Sequence, residues 1–165
     1  MASTTRGLAP VPVLPRSEWQ AVLRETTIEV FSTMVGVTVT APTESSQPIL
    51  AQMTGVIGIA GQMRAIFSLR CSQKFAISLA SRMLGIPADD AGAEKAASDA
   101  VGEICNVVAG YFKAKIGFAD KGSLSLPTIV IGKRYTIHST TGCERLEFPL
   151  IFESEPLWIT LDIRQ

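Results

Sequence analysis

The sequence predicts an α+β domain assembled from two related halves, and three observations point to it. Two long stretches, Trp19 to Met34 and Lys95 to Lys113, repeat apolar residues at spacings of three and four, the pattern of a helix that buries one face. Each is followed by a short extended segment, a loop and a pair of apolar runs suited to antiparallel strands, so each half reads α-β-x-β-β. The two helices also align by residue. Setting Thr27 to Gly36 (TIEVFSTMVG) over Val101 to Gly110 (VGEICNVVAG) places Glu29 on Glu103, Ser32 on Asn106 and Gly36 on Gly110, with Glu25 on Asp99 one turn upstream. Four matches over two turns also arise by chance between amphipathic helices. Taken as real, they imply a duplicated unit with a pseudo-twofold axis.

Met1 to Pro15 is rich in Pro, Ser, Thr and Ala without periodicity, which gives a disordered N-terminal tail (1–16) ahead of a single domain (17–165). Ser17 to Gln20 fits a capping box that opens the first helix. Its buried stripe is expected to be Trp19, Val22, Leu23, Thr26, Val30 and Met34, and Gly36 ends it. Val37 to Ala41 reads as a short strand and Pro42 to Pro48 as a loop. Thr54 to Cys71 (TGVIGIAGQMRAIFSLRC) reads as a hairpin turning at Gly61-Gln62, with Gly55 and Gly58 permitting close backbone approach. Ser72 caps a second helix through Phe75, Ile77, Leu79 and Met83, closed by Gly85. Asp89-Asp90 turns into the long helix, which stops at Gly117. Three strands follow: Pro127 to Ile137, broken at Gly132-Lys133, then Arg145 to Phe152, then Leu157 to Ile163.

Composition removes several function classes. A chain of 165 residues folds around one core, and its 15 basic and 15 acidic residues leave no net field to hold nucleic acid or an anionic membrane. Its aromatic residues are not interleaved with basic ones, which argues against single-strand binding. Three cysteines at wide spacing, with His138 the only histidine, make no zinc motif and read as free thiols of a reducing compartment. No apolar run reaches the roughly 20 residues of a membrane span, and no signal-peptide layout opens the chain, so a cytoplasmic protein is expected.

The stretch that calls for explanation is Lys95 to Lys113. At about 100° per residue, Ala97, Val101, Ile104, Val108 and Phe112 form the core stripe, while Lys95, Asp99, Glu103, Asn106, Gly110 and Lys113 form a polar lane on the other side. Each glycine inside a helix costs about 1 kcal/mol against alanine. Gly102 and Gly110 therefore mark either a tolerated weakness or a close approach. From the helix alone, the first reading of Asp99, Glu103 and Asn106 is an ordinary solvated face, with Asp99 paired to Lys95 four residues away. Cys105 reads as a buried thiol, His138 as a strand residue without partners, and GVIGIAG as packing rather than a phosphate loop.

Asp99-x-x-x-Glu103-x-x-Asn106, followed by Val107-Val108-Ala109-Gly110, resembles the D-x-x-x-E-x-x-N helix of the CheX family, within the wider CheC, CheX and FliY group of chemotaxis phosphatases. The segments VFSTMVGV, TGVIGIAG, SRMLG and Ser125 to Val130 are similar to that family as well, in the same order, from Ser17 onward. The resemblance implies a two-layer α+β domain with long helices packed on one face of an antiparallel sheet. It implies a phosphatase acting on the aspartyl phosphate of a CheY-like receiver domain in chemotaxis or related two-component signalling, and a homodimer joined through sheet edges.

In that setting Asn106 would position the attacking water and Glu103 would reach a lysine of the receiver. The partner-binding set is Asp99, Gly102, Gly110 and Lys113, with the glycines leaving room for the receiver's loops. Glu29 and Ser32 mark a degenerate second site, its amide missing. No cofactor is expected on this chain, since it carries no oxygen cluster for Mg²⁺, and the ion would come with the receiver. The alternative is a catalytically inert module of the same fold that binds a receiver or dimerises.

Overall fold

A computed structural model describes residues 13–43, 51–133, 135–138 and 141–164. A 3-10 turn, Arg16–Glu18, leads into α1 (Trp19–Val30), which widens into a π-type turn over Phe31–Val35. A hairpin of β1 (Met53–Gly61) and β2 (Ala65–Cys71) precedes α2 (Gln73–Leu84) and α3 (Ala91–Lys113). Short strands β3 (Gly122–Leu124) and β4 (Thr128–Ile131) and a second hairpin, β5 (Cys143–Phe152) with β6 (Glu155–Arg164), complete the chain.

Three helices pack on one face of a single antiparallel sheet, the α+β class the sequence predicts. The sheet order is β3 and β4, then β1, β2, β6 and β5. The two hairpins meet at the centre, where β2 pairs with β6 from Ala65↔Ile163 to Cys71↔Leu157. Each half lends its extended segment to the other half's hairpin. β3 and β4 follow α3 and pair with β1, while Thr40 follows α1 and pairs with Ile151 of β5. In β6, Leu157, Ile159, Leu161 and Ile163 enter the core beneath the helices. Trp158, Thr160 and Asp162 face the other way, where Arg145 grips Asp162 through Nε to Oδ1 (2.7 Å) and Nη2 to Oδ2 (3.0 Å).

Local chemistry accounts for the element ends. Ser72 Oγ accepts from the Phe75 amide (3.0 Å) to cap α2, and Asp90 Oδ1 accepts from the Gly92 amide (2.7 Å) to cap α3. Gly36 and Gly85 end their helices at left-handed φ of 70° and 66°. The capping box expected at Ser17 does not form. Pro15, at φ −65°, starts the 3-10 turn and accepts from the Glu18 amide (3.0 Å), so Ser17 already lies inside helical backbone.

Other expectations shift in detail. Phe31 and Thr27 join the buried stripe of α1, while Met34 is left 37% exposed because the wider turn rotates it outward. Val37 to Ala41 makes one bridge, at Thr40, rather than a strand. The expected strand to Ile137 stops at Ile131, where the chain leaves the sheet edge and Tyr135 bonds Thr54 across it (Oη to Oγ1, 2.7 Å). Residues 1–12 of the expected tail and 44–50 of the expected loop lie outside the described residues. Leu14, within that tail, donates its amide to Ile116 O (3.1 Å). Among the described residues no helix is long and apolar enough to cross a membrane.

Helix α3 comes close to the sheet at Gly55 of β1. A Cβ there would stand 2.4 Å from Cys105 Sγ, so that something must shift, and a tight 3.0 Å from Val101 Cγ1. Gly55→Ala is expected to lower stability by about 1–3 kcal/mol, and Cys105→Ala in the same chain to recover part of that loss. Denaturant titration of the two single variants and the double variant checks it, and strictly additive effects would contradict the contact.

Glu155 receives Lys74 Nζ (2.6 Å) and Ser72 Oγ (3.0 Å), and the Lys74 bond first, then Ser72, holds its carboxyl below the ordinary range against the opposing effect of burial. A lowered carboxyl contributes stability above its unfolded pKa and loses it as pH falls through the folded one. Glu155→Gln is therefore expected to melt below the parent at neutral pH, with the two melting temperatures converging in acid.

Candidate functional site

Helix α3 has one buried side and one bare one. Ala97, Val101, Ile104, Val108 and Phe112 are at most 3% exposed, against the sheet and the neighbouring helices. That anchoring turns Lys95, Asp99, Glu103 and Asn106 to solvent. Glu103 and Asn106, three residues apart, stand on the same side one turn from each other. Asp99, Glu103 and Asn106 make no hydrogen bond or ion pair with the described residues, so Asp99 does not pair with Lys95. The lane thus holds two carboxylates without a cation of their own and one amide without a partner.

Within the rest of the expected partner-binding set, Gly102 and Lys113 are buried by this protein and Gly110 is half-buried. Gly102 is buried, and a Cβ on it would touch the Pro127 ring at 3.4 Å and Ile129 Cδ1 at 3.7 Å. Gly110 lies beneath Leu124, whose Cδ1 would be 3.7 Å from such a Cβ. At both glycines a Cβ would meet the β3–β4 segment only at ordinary contact distance, so packing within this protein does not require a glycine at either position. Lys113 also leaves the lane. It is 9% exposed, and its ammonium donates to Ala119 O (2.8 Å) and Gly122 O (2.5 Å), tying the end of α3 to the start of β3.

On α1, Glu29 and Ser32 are both exposed, and the Glu29 carboxylate is ion-paired to Lys115. The second lane carries a hydroxyl where the first carries an amide, and its acid already has a cation. Burial pushes the Cys105 thiol up to about 12 and raises Cys71 as well, so neither offers a thiolate. His138 lies on the sheet face away from α3, near Ile66 and Asp162. Among the described residues no group of three His, Cys, Asp or Glu is placed to hold a metal ion.

Two features beside the lane escape the sequence reading. The strand expected from Pro127 begins instead at Thr128, and the break before it projects Leu126, 87% exposed, next to the Pro127 that covers Gly102. A residue before proline in an apolar run is the signal that could have found it. On the other side a groove of about 330 Å³ opens between α2 and α3, with Asp99 and Glu103 on its lip.

A carboxylate only accepts, whereas an amide both accepts and donates. Both side chains are exposed, and the described residues do not enclose the pair so as to exclude water. Its chemistry suits insertion into a pocket that another molecule supplies.

The family model of the chemotaxis phosphatase CheX matches residues 53–150 of the chain. No curated protein matches it. Among solved structures the chain is similar to the chemotaxis protein CheX from Vibrio vulnificus, with 23% identity, 89% of this chain and 99% of that one covered, and a TM-score of 0.74. It is similar to a chain of the CheX-CheY-BeF3-Mg²⁺ complex from Borrelia burgdorferi, with 17% identity, coverage of 91% and 100%, and a TM-score of 0.73. It is also similar to Thermotoga maritima FliY, with 15% identity, coverage of 90% and 91%, and a TM-score of 0.60. At these identities the likeness is one of fold.

Proposed function

The chain belongs to the CheX family of chemotaxis phosphatases, and on that premise we propose that it hydrolyses the aspartyl phosphate of a CheY-like receiver domain. The observation that carries this reading is the state of Glu103 and Asn106: exposed, on one side of a helix buried along its opposite face, and unpartnered within the described residues. In the reaction a water oxygen bonds to phosphorus, the bond from phosphorus to the aspartyl oxygen breaks, and the carboxylate leaves. Positioning of the water in line can supply most of such catalysis. The Asn106 carbonyl accepts from the water and its NH₂ steadies the phosphoryl oxygens, so the residue acts by orientation and not as a base. Glu103 accepts from a lysine beside the receiver's phosphorylated carboxyl and fixes the helix there.

The Mg²⁺ named in the Borrelia complex supports an ion that travels with the receiver. Homodimerisation through sheet edges belongs to the same reading. It is supported by the outer edge of β5, where Leu146 to Leu150 pairs with no strand among the described residues. A cytoplasmic location goes with such a partner.

The test is to mix the protein with phosphorylated receivers from the same cell and follow phosphate loss. Asn106→Ala is expected to lower turnover by about a hundredfold or more while receiver binding persists. Glu103→Ala is expected to weaken both, with binding falling by roughly ten- to a hundredfold for one charge-assisted bond. Undiminished turnover in the Asn106 variant would remove it from the mechanism. Binding without turnover in the parent would leave an inert receiver-binding module.

A further inference from the structure

The polar lane is bordered on both flanks by apolar groups that the fold holds in place without burying. On one flank the pairing of β3 and β4 with β1 is interrupted at Ser125 to Pro127. Both sides of the interruption are pinned. The Ser125 amide donates to Gly58 O (2.9 Å) while Ser125 Oγ accepts from the Gly58 amide (2.9 Å). The Pro127 ring rests on Gly102 of α3. Between these anchors Leu126 stands 87% exposed. On the other flank the groove of about 330 Å³ is floored by Ala96 and Ala100 and walled by Met83 and Leu84, and Leu84 is 55% exposed.

An apolar side chain on a slack loop would forfeit much of its contact energy in ordering the loop, whereas one pinned on both sides meets a partner already ordered. Beside Asn106 the lane is acidic, with Glu103 and Asp99 adjacent and Lys95 a turn further off toward the start of the helix. Asp99 and Glu103 have no cation within the described residues, so the surface suits a protein whose docking face carries a basic group with apolar groups around it. Apolar borders pressed against a partner would also exclude water from the polar centre, where the Glu103 bond gains strength.

Resting on the reading above, we infer that Leu126 and the groove between α2 and α3 are the two apolar grips by which this surface holds the receiver domain while Glu103 and Asn106 enter its pocket. Neither grip touches the phosphoryl group. They set how tightly the receiver is held, and Glu103 and Asn106 act at the centre.

Calorimetric titration of the full chain with its receiver, held in the active form by beryllofluoride and Mg²⁺, tests the inference. Leu126→Ser and Leu84→Ser are each expected to raise Kd, Leu126→Ser by about tenfold or more, the factor that burying one leucine side chain supplies. Melting temperatures stay at the parent value, since both side chains face solvent. Ile66→Ser, which removes a 51% exposed apolar group on the opposite sheet face, is expected to leave Kd unchanged. A Kd within twofold of the parent for Leu126→Ser, with Glu103→Ala still weakening binding, overturns the grips and leaves the functional reading standing. An equal loss for Ile66→Ser overturns them as well. A parent protein that neither binds nor dephosphorylates any receiver overturns the functional reading, and the grips with it.

Discussion

The close seat of α3 on β1 fixes the geometry of everything outside it. Because Gly55 presents no side chain, Cys105 and Val101 settle directly on the strand backbone, and the helix cannot roll without lifting them off. The core stripe from Ala97 to Phe112 then has one solution, and so does the opposite side. A helix roll of one residue, about 100°, would bury Glu103 among apolar groups, at the cost of an uncompensated charge. The direction of the polar lane is therefore set by the core, and no interaction within the lane is needed to hold it.

The same reasoning separates residues that build the platform from residues left free on it. Gly102, Gly110 and Lys113 lie in or beside the lane by angle, yet this protein packs against each: the Pro127 ring meets the first, Leu124 borders the second, and the carbonyls of Ala119 and Gly122 take the third. Among the described residues Lys95, Asp99, Glu103 and Asn106 remain without partners. The fold's internal symmetry sharpens the contrast. α1 stands to its half as α3 does to the other, but its acid is neutralised by Lys115 and its third position carries Ser32. A carboxylate that already has a cation gains less from meeting another, and a short hydroxyl reaches less far than an amide, so the two lanes are chemically unequal on a nearly symmetric frame.

Helical periodicity made much of this visible before any coordinates. The stripe and lane of α3 follow from counting residues, and so do the caps at Ser72 and Gly85, because those signals are local and their principal partners lie within one turn. The hairpin of β1 and β2 was legible for the same reason. Signals that depend on distant chain were not. Ser17 sits in a capping box by sequence, but Pro15 starts the turn early. Val37 to Ala41 has strand chemistry, but β5 offers it only one bridging position. β3 was missed because Gly122 and Ser123 carry no strand signature and are held by the edge of β1. Gly102 and Gly110 raised the question of a close approach to α3, and the tight contact lies instead at Gly55, on the strand that faces it.

An exposed acid and amide cost a protein nothing while they are solvated, and that is why their exposure alone says so little. Their surroundings carry more weight. Around this pair the chain spends a buried lysine, a serine bonded on both sides to Gly58, and a proline laid on a glycine to hold the bordering segment rigid. Rigidity of that kind stabilises the fold only modestly, because the segment is a sheet edge with few groups to bury. It does reduce the entropy lost when a second surface is pressed against Leu126 and the lane together. A merely solvated face has no use for such support, since water imposes no shape on it. The placement of the stiffening, more than the identity of the two polar residues, argues that this side of the molecule is built to meet another protein.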